Sequence, residues 1–282
     1  MRWRGCDHGR VRRVVVAVLA LLAGGLVAAA LAGPDAVRAG LDRVQGVAAG
    51  ADGDPGAEAA GDALDGAAGE EPLRYVALGD SIAAGFAAPV GYPELVAEEL
   101  EARTGRDVDV DVAAQAGWAT GGLTEAVTER ARVRDALADA DVVTVSVGSN
   151  DLFRAAFELG QACDHEDCAR PAVTRFVERW EVLLDELGEA TDAAVVVTDL
   201  YDPFTGRDDP DADALASQLR AEANDELTAA AEDRGFAVAE VSTAFHDGDG
   251  AVARDLLAFD GIHPGRAGQD RIAEAVLAAL DG

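Results

Sequence analysis

From Pro72 onward, short runs rich in β-branched residues alternate with longer stretches of helical periodicity, and this alternation limits the fold more than any other feature of the chain. The strand-like runs are Arg74–Leu78, Val108–Ala113, Asp141–Val147, Ala193–Thr198 and Phe236–Val241. Helical patterns occupy Tyr92–Arg103, Leu123–Ala138, Asp151–Leu159, Ala172–Leu187, Ala212–Asp233 and Arg266–Leu280. Strands separated by helices cannot pair as tight hairpins. They pair in parallel, through right-handed crossovers that lay helices on both faces of one sheet. The expectation is an α/β fold with a mostly parallel, five-stranded sheet. In such sheets ligands sit outside the carboxyl ends of the strands, so a motif that carries chemistry is expected just after a strand.

The chain upstream of Pro72 has a different texture. Residues 1–32 open with a basic stretch holding five arginines, followed by an apolar run from Val14 to Ala32 with small residues around Ala30-Leu31-Ala32. Basic, then apolar, then small is the pattern of an export signal. The run also just reaches the length that spans a bilayer as a helix, so a cleaved signal and a retained membrane anchor both stay open. Arg12-Arg13 is a weak twin-arginine signal. A core helix would show an apolar stripe and not a uniformly apolar run. The flanking arginines would hold the N-terminus in the cytoplasm and send the rest outside, so the expected location is secreted or tethered to the outer face of the cytoplasmic membrane. Residues 33–71 are rich in Ala, Gly and Asp and read as a flexible acidic linker. Residues 72–282 then form the folded domain.

A formal net charge of -30 excludes a large class of partners. A surface so acidic repels phosphate backbones, and nucleic-acid binding is not expected. All 23 basic residues are arginine. A coding bias or adaptation to high salt, alone or together, would account for that balance. Of the three cysteines, Cys163 and Cys168 lie close together in QACDHEDCA, and Cys6 lies in the basic stretch. Outside the cytosol such a pair is expected to oxidise, closing a short loop with a modest effect on stability. Asp164, His165, Glu166 and Asp167 between them are too crowded to converge on one metal ion, and no metal is expected.

Four motifs fall where an open α/β sheet places its ligands. In YVALGDSIAAG, Ser81 follows the first strand and Gly79 allows the chain to turn sharply. A serine hydroxyl is a weak nucleophile and needs a base. The plain alternative for Asp80-Ser81 is a turn or helix cap. In DVAAQAGWATGG, after the second strand, Gly117 can present an unobstructed backbone N–H, or it is simply a loop glycine. In VSVGSND, after the third strand, Asn150 can donate its side-chain amide, or Asn150-Asp151 can cap the next helix. In FDGIHPG, Asp260 and His263 stand three residues apart. That spacing lets a carboxylate hold one imidazole nitrogen while the other faces a serine. His246, in HDGDG, is the rival base.

These four blocks, in this order over roughly Leu73 to Leu280, resemble the GDSL or SGNH hydrolase family. The resemblance implies a flavodoxin-like three-layer α/β/α sandwich. It implies Ser81 as nucleophile, His263 as base and Asp260 as its orienting carboxylate. It also implies an oxyanion hole built from the Ser81 N–H, the Gly117 N–H and the Asn150 amide, and no cofactor. Val112 and Ala116 depart from the family pattern, at positions where many members carry Asn and Ser. Trp118 either walls an acyl pocket or packs on the core. The GxSxG elbow of the α/β-hydrolases is absent around Ser81. The implied activity is hydrolysis of carboxylic esters through an acyl-enzyme, with carbohydrate acetyl esters, thioesters and lysophospholipids as alternative substrates on the same fold. An aromatic content of 5 % leaves few stacking platforms for sugars, which favours small or lipid-derived esters. The alternative of another class is a catalytically silent, surface-tethered binding protein. A solute-binding protein would need two lobes, and the chain carries one α/β unit.

Overall fold

The computed structural model describes residues 71–159, 166–205, 210–246 and 252–281. Five strands form one sheet: β1 (Leu73–Gly79), β2 (Val108–Ala114), β3 (Val142–Ser146), β4 (Ala194–Thr198) and β5 (Ala237–Ala239), in the order β2-β1-β3-β4-β5. All four pairings are parallel. Gly79 pairs with Ala114 on one side and Ser146 on the other, so the carboxyl ends of the three strands lie level.

The helices cover both faces. α1 (Tyr92–Thr104) and α8 (Arg266–Leu280) lie on one, and α2 (Thr120–Glu129), α3 (Ala131–Ala138), α5 (Glu166–Ala190) and α6 (Pro210–Glu232) on the other. α4 (Ser149–Leu159) and the short α7 (Val241–Phe245) follow β3 and β5. Strands buried on both faces read as nearly continuous apolar runs, and β1 shows how the period of two divides its residues. Val76 and Leu78 join the core holding Phe176, Trp180 and Leu183 of α5. Tyr75 and Ala77 join the core holding Val96 of α1 and Ile272 and Val276 of α8.

The three-layer α/β/α expectation is met. The boundaries shift in instructive places. The single helix expected over Leu123–Ala138 is two helices, because Arg130 takes an extended conformation (φ -88°, ψ 109°) and turns the chain between them. The helix expected over Ala172–Leu187 runs from Glu166 to Ala190 and carries Pro171 inside it. Among the described residues no helix is long and apolar enough to cross a membrane. The apolar run at Val14–Ala32, the linker up to Gly69-Glu70, Cys163 and the side chain of Cys168 lie outside the described residues.

Candidate active site

At the end of β1 the chain has to turn while pressed against β3. A Cβ on Gly79 would lie 2.4 Å from the Ser146 carbonyl oxygen, and φ is +154° there, so glycine is required on both counts. The Asp80 N–H then donates to that same Ser146 carbonyl at 3.1 Å. Asp80 Oδ1 accepts the Ile82 N–H at 2.9 Å, a side-chain turn two residues long. The Phe86 N–H donates to the Ser81 carbonyl at 2.9 Å and closes the loop. Ser81 is thereby held at the carboxyl edge of the sheet, and its N–H has no acceptor among the described residues.

Asp260 and His263 arrive from the loop between a 3₁₀ turn at Arg254–Leu256 and α8. Asp260 Oδ1 accepts the N–H groups of Ile262 and His263, each at 3.0 Å. Its Oδ2 lies 2.6 Å from His263 Nδ1, and His263 Nε2 lies 3.0 Å from Ser81 Oγ. Hydroxyl, imidazole and carboxylate therefore stand in series within hydrogen-bond reach. Three groups brace His263: the Tyr201 hydroxyl donates to the Ile262 carbonyl at 2.7 Å, the Ala258 N–H donates to the His263 carbonyl at 2.7 Å, and the Phe86 ring packs on the imidazole at 4.7 Å. Partial burial would raise the Asp260 carboxyl, but hydrogen bonds from the His263 ring and from the two backbone N–H groups outweigh it and hold the carboxyl below its ordinary value. His246, the rival base, bonds the carbonyl of Ser242 in the helix it follows at 2.6 Å and takes no part in this series.

Gly117 lies in the loop after β2, exposed, with φ +85° and with nothing within 4 Å of where a Cβ would be. The Gln115 N–H donates to the Gly79 carbonyl at 3.1 Å and ties this loop to the end of β1. The Gly117 N–H, like that of Ser81, has no acceptor among the described residues. Asn150 lies in the first turn of α4 and its amide turns sideways, donating to Asp80 Oδ2 at 3.0 Å and to the Trp118 carbonyl at 2.8 Å. The capping alternative for Asn150-Asp151 is not what these side chains do. Asp151 Oδ2 instead accepts the Thr120 N–H at 2.8 Å and caps α2 from another helix. Trp118 packs against the α5 side of the core, with the Arg130 guanidinium 4.7 Å above its ring, so its core alternative holds.

The sequence brought out Ser81, Gly117, Asn150, Asp260 and His263, and the structure gathers all five at one edge of the sheet. It missed the second use of Asp80. This carboxyl is 1 % exposed, and it links the Ser81 turn to Asn150. Burial raises it to about 7 against the pull of its hydrogen bonds from Ile82 and Asn150. The only signal for this role was the acidic residue beside the serine. Among the described residues no group of three or more His, Cys, Asp or Glu side chains is arranged to hold a metal ion.

The chain belongs to the GDSL-like lipase/acylhydrolase family, whose sequence pattern matches residues 77–271, and as a member it is a carboxylic ester hydrolase. Among curated proteins none matches it. Similar solved structures include a lipase from a goat rumen metagenome, 23 % identical over 73 % of this chain and 97 % of that one, with a TM-score of 0.64. An acetylxylan esterase from Geobacillus stearothermophilus is 18 % identical over 75 % of this chain and 95 % of its own, with a TM-score of 0.58. An α/β hydrolase enzyme from the metagenome of Lake Arreo is 24 % identical over 76 % and 98 %, with a TM-score of 0.54. At these identities the likeness is one of fold. Catalytic mutants of the Geobacillus enzyme carry alanine in place of a serine and of a histidine.

Proposed function

We propose that the chain hydrolyses carboxylic esters through an acyl-enzyme on Ser81. His263 Nε2 takes the hydroxyl proton as Ser81 Oγ attacks the acyl carbon, and Asp260 holds the ring tautomer and balances the imidazolium. The N–H groups of Ser81 and Gly117 receive the developing oxyanion. The Asn150 amide joins them by sharing a hydrogen with Asp80 or Trp118. The alcohol leaves with the proton from His263, and water then repeats the attack on the acyl-enzyme. The observation that carries this reading is the series Ser81 Oγ–His263 Nε2 at 3.0 Å and His263 Nδ1–Asp260 Oδ2 at 2.6 Å. The serine and histidine mutants of the Geobacillus esterase support the same pair of roles.

Small or lipid-derived esters are the proposed substrates, and residues 1–32 are the proposed export signal or membrane anchor. The test is turnover of a p-nitrophenyl ester series by the full chain beside Ser81→Ala. The variant is expected to lose about 10⁴–10⁶-fold in kcat. Residual turnover within tenfold of the parent would remove Ser81 from the reaction. A folded parent that turns over no ester and takes no fluorophosphonate label would return the silent binding protein.

A further inference from the structure

Helix α4 reaches over the loop that follows β2 with three side chains. Asn150 donates to the Trp118 carbonyl at 2.8 Å, Asp151 accepts the N–H and hydroxyl of Thr120 at 2.8 and 2.9 Å, and Arg154 Nη2 donates to the Gly117 carbonyl at 2.8 Å. Asn150 and Arg154 are four residues apart and share one helix face, so two donors one turn apart meet two successive carbonyls. The fixed end of this clamp is Asp151, 5 % exposed and also paired with Arg179 at 3.3 Å. The other end is Gly117, in a turn closed by the Trp118 N–H donating to the Gln115 carbonyl at 3.0 Å; nothing lies within 4 Å of where its Cβ would be, and a glycine backbone has the widest rotational freedom of any residue.

We propose that Arg154 is a positioning residue for the oxyanion loop: its guanidinium pins the Gly117 carbonyl, in the peptide that follows the one carrying the Gly117 N–H, and so limits the rotation at Gly117 that would turn that N–H away from the reacting oxygen. The inference rests on reading Gly117 as an oxyanion donor. Arg154 touches no reacting atom. It is exposed at the surface, so its removal leaves the core intact.

The test compares the full chain with Arg154→Met, which keeps the stem and removes every donor, and Arg154→Lys, which keeps a charged donor. Arg154→Met is expected to lower kcat by about 10- to 50-fold, in line with the sensitivity of rate to small misplacements of a catalytic group. KM is expected to stay within about twofold and the melting temperature unchanged. Arg154→Lys is expected to recover most of the loss. Affinity for an alkyl trifluoromethyl ketone, which builds a tetrahedral oxyanion on the serine, should fall in step with kcat. A kcat within twofold of the parent, a loss carried by KM, or a loss matched by a lower melting temperature would overturn the role. Ser81→Ala is run alongside. If that variant keeps its turnover, the oxyanion reading itself fails. If turnover depends on Ser81 and ignores Arg154, only the positioning role fails.

Discussion

Two aspartates flank the same chemistry and are driven in opposite directions. Asp260 meets enough donors to hold its charge, whereas Asp80 is nearly sealed from water and is raised to about 7. For Asp80 the consequence for stability has a definite sign. Its folded value lies above its ordinary value of 3.8, so between about pH 4 and 7 the folded chain keeps a proton that the unfolded chain has lost. Stability from this group therefore falls as pH rises across that window. Asp80→Asn removes the term, and its stability relative to the parent is expected to improve from about pH 4 to pH 7 and then level off in urea unfolding. Parallel curves for the two proteins would mean that Asp80 is ionised throughout. The same residue marks how far the sequence could be read. Ser81, Gly117, Asn150, Asp260 and His263 were legible because each follows a strand or sits in a recognisable block. The bond from Asn150 to Asp80 spans 70 residues, and the packing of Phe86 on His263 joins the first loop to the last. Neither leaves a local pattern.

At the scale of elements, the strands are legible to within two residues at every end because their apolar content is dense and their turns are abrupt. The helices were read less well, and for reasons that can be named. Gly121 and Gly122 weaken the local signal at the start of α2, which begins at Thr120 because Asp151 supplies its cap from α4. Pro171 is an expected boundary, yet α5 runs through it. The junction of α8 with the loop that carries His263 is also a matter of contact and not of propensity. A Cβ on Gly268 would lie 2.3 Å from the Leu256 carbonyl oxygen and 2.9 Å from Pro264 Cβ, at the two ends of the loop that carries Asp260 and His263. Gly268→Ala must push that loop away. It is expected to cost about 1–3 kcal/mol of stability and, on the reading of His263 as base, to slow fluorophosphonate labelling of Ser81, because His263 is displaced with the loop. Unchanged unfolding and labelling would show that α8 yields instead.

For the whole molecule the dominant fact is charge. A net charge of -30 on 282 residues makes the folded state repel itself, and that repulsion is screened by salt. Many of the ion pairs among the described residues are exposed, such as Arg103 with Glu99 and Arg266 with Asp270, and surface pairs contribute little. Screening should therefore relieve more repulsion than it weakens attraction. The melting temperature is expected to rise by several degrees between low salt and about 1 M NaCl. A fall over that range would mean that the arginine pairs dominate. The three-layer architecture itself followed from the alternation of strands and helices, since parallel pairing leaves few other arrangements. One further consequence lies in time. Ser81 Oγ and His263 Nε2 meet across 182 residues, with β2, β3, β4 and β5 between them. A chain growing from its N-terminus carries its serine through the synthesis of four more strands with no imidazole beside it. On the reading of Ser81 as nucleophile, whatever handles the nascent polypeptide handles an inert one, and hydrolytic competence arrives in a single late event, when the last loop closes over the edge of the sheet.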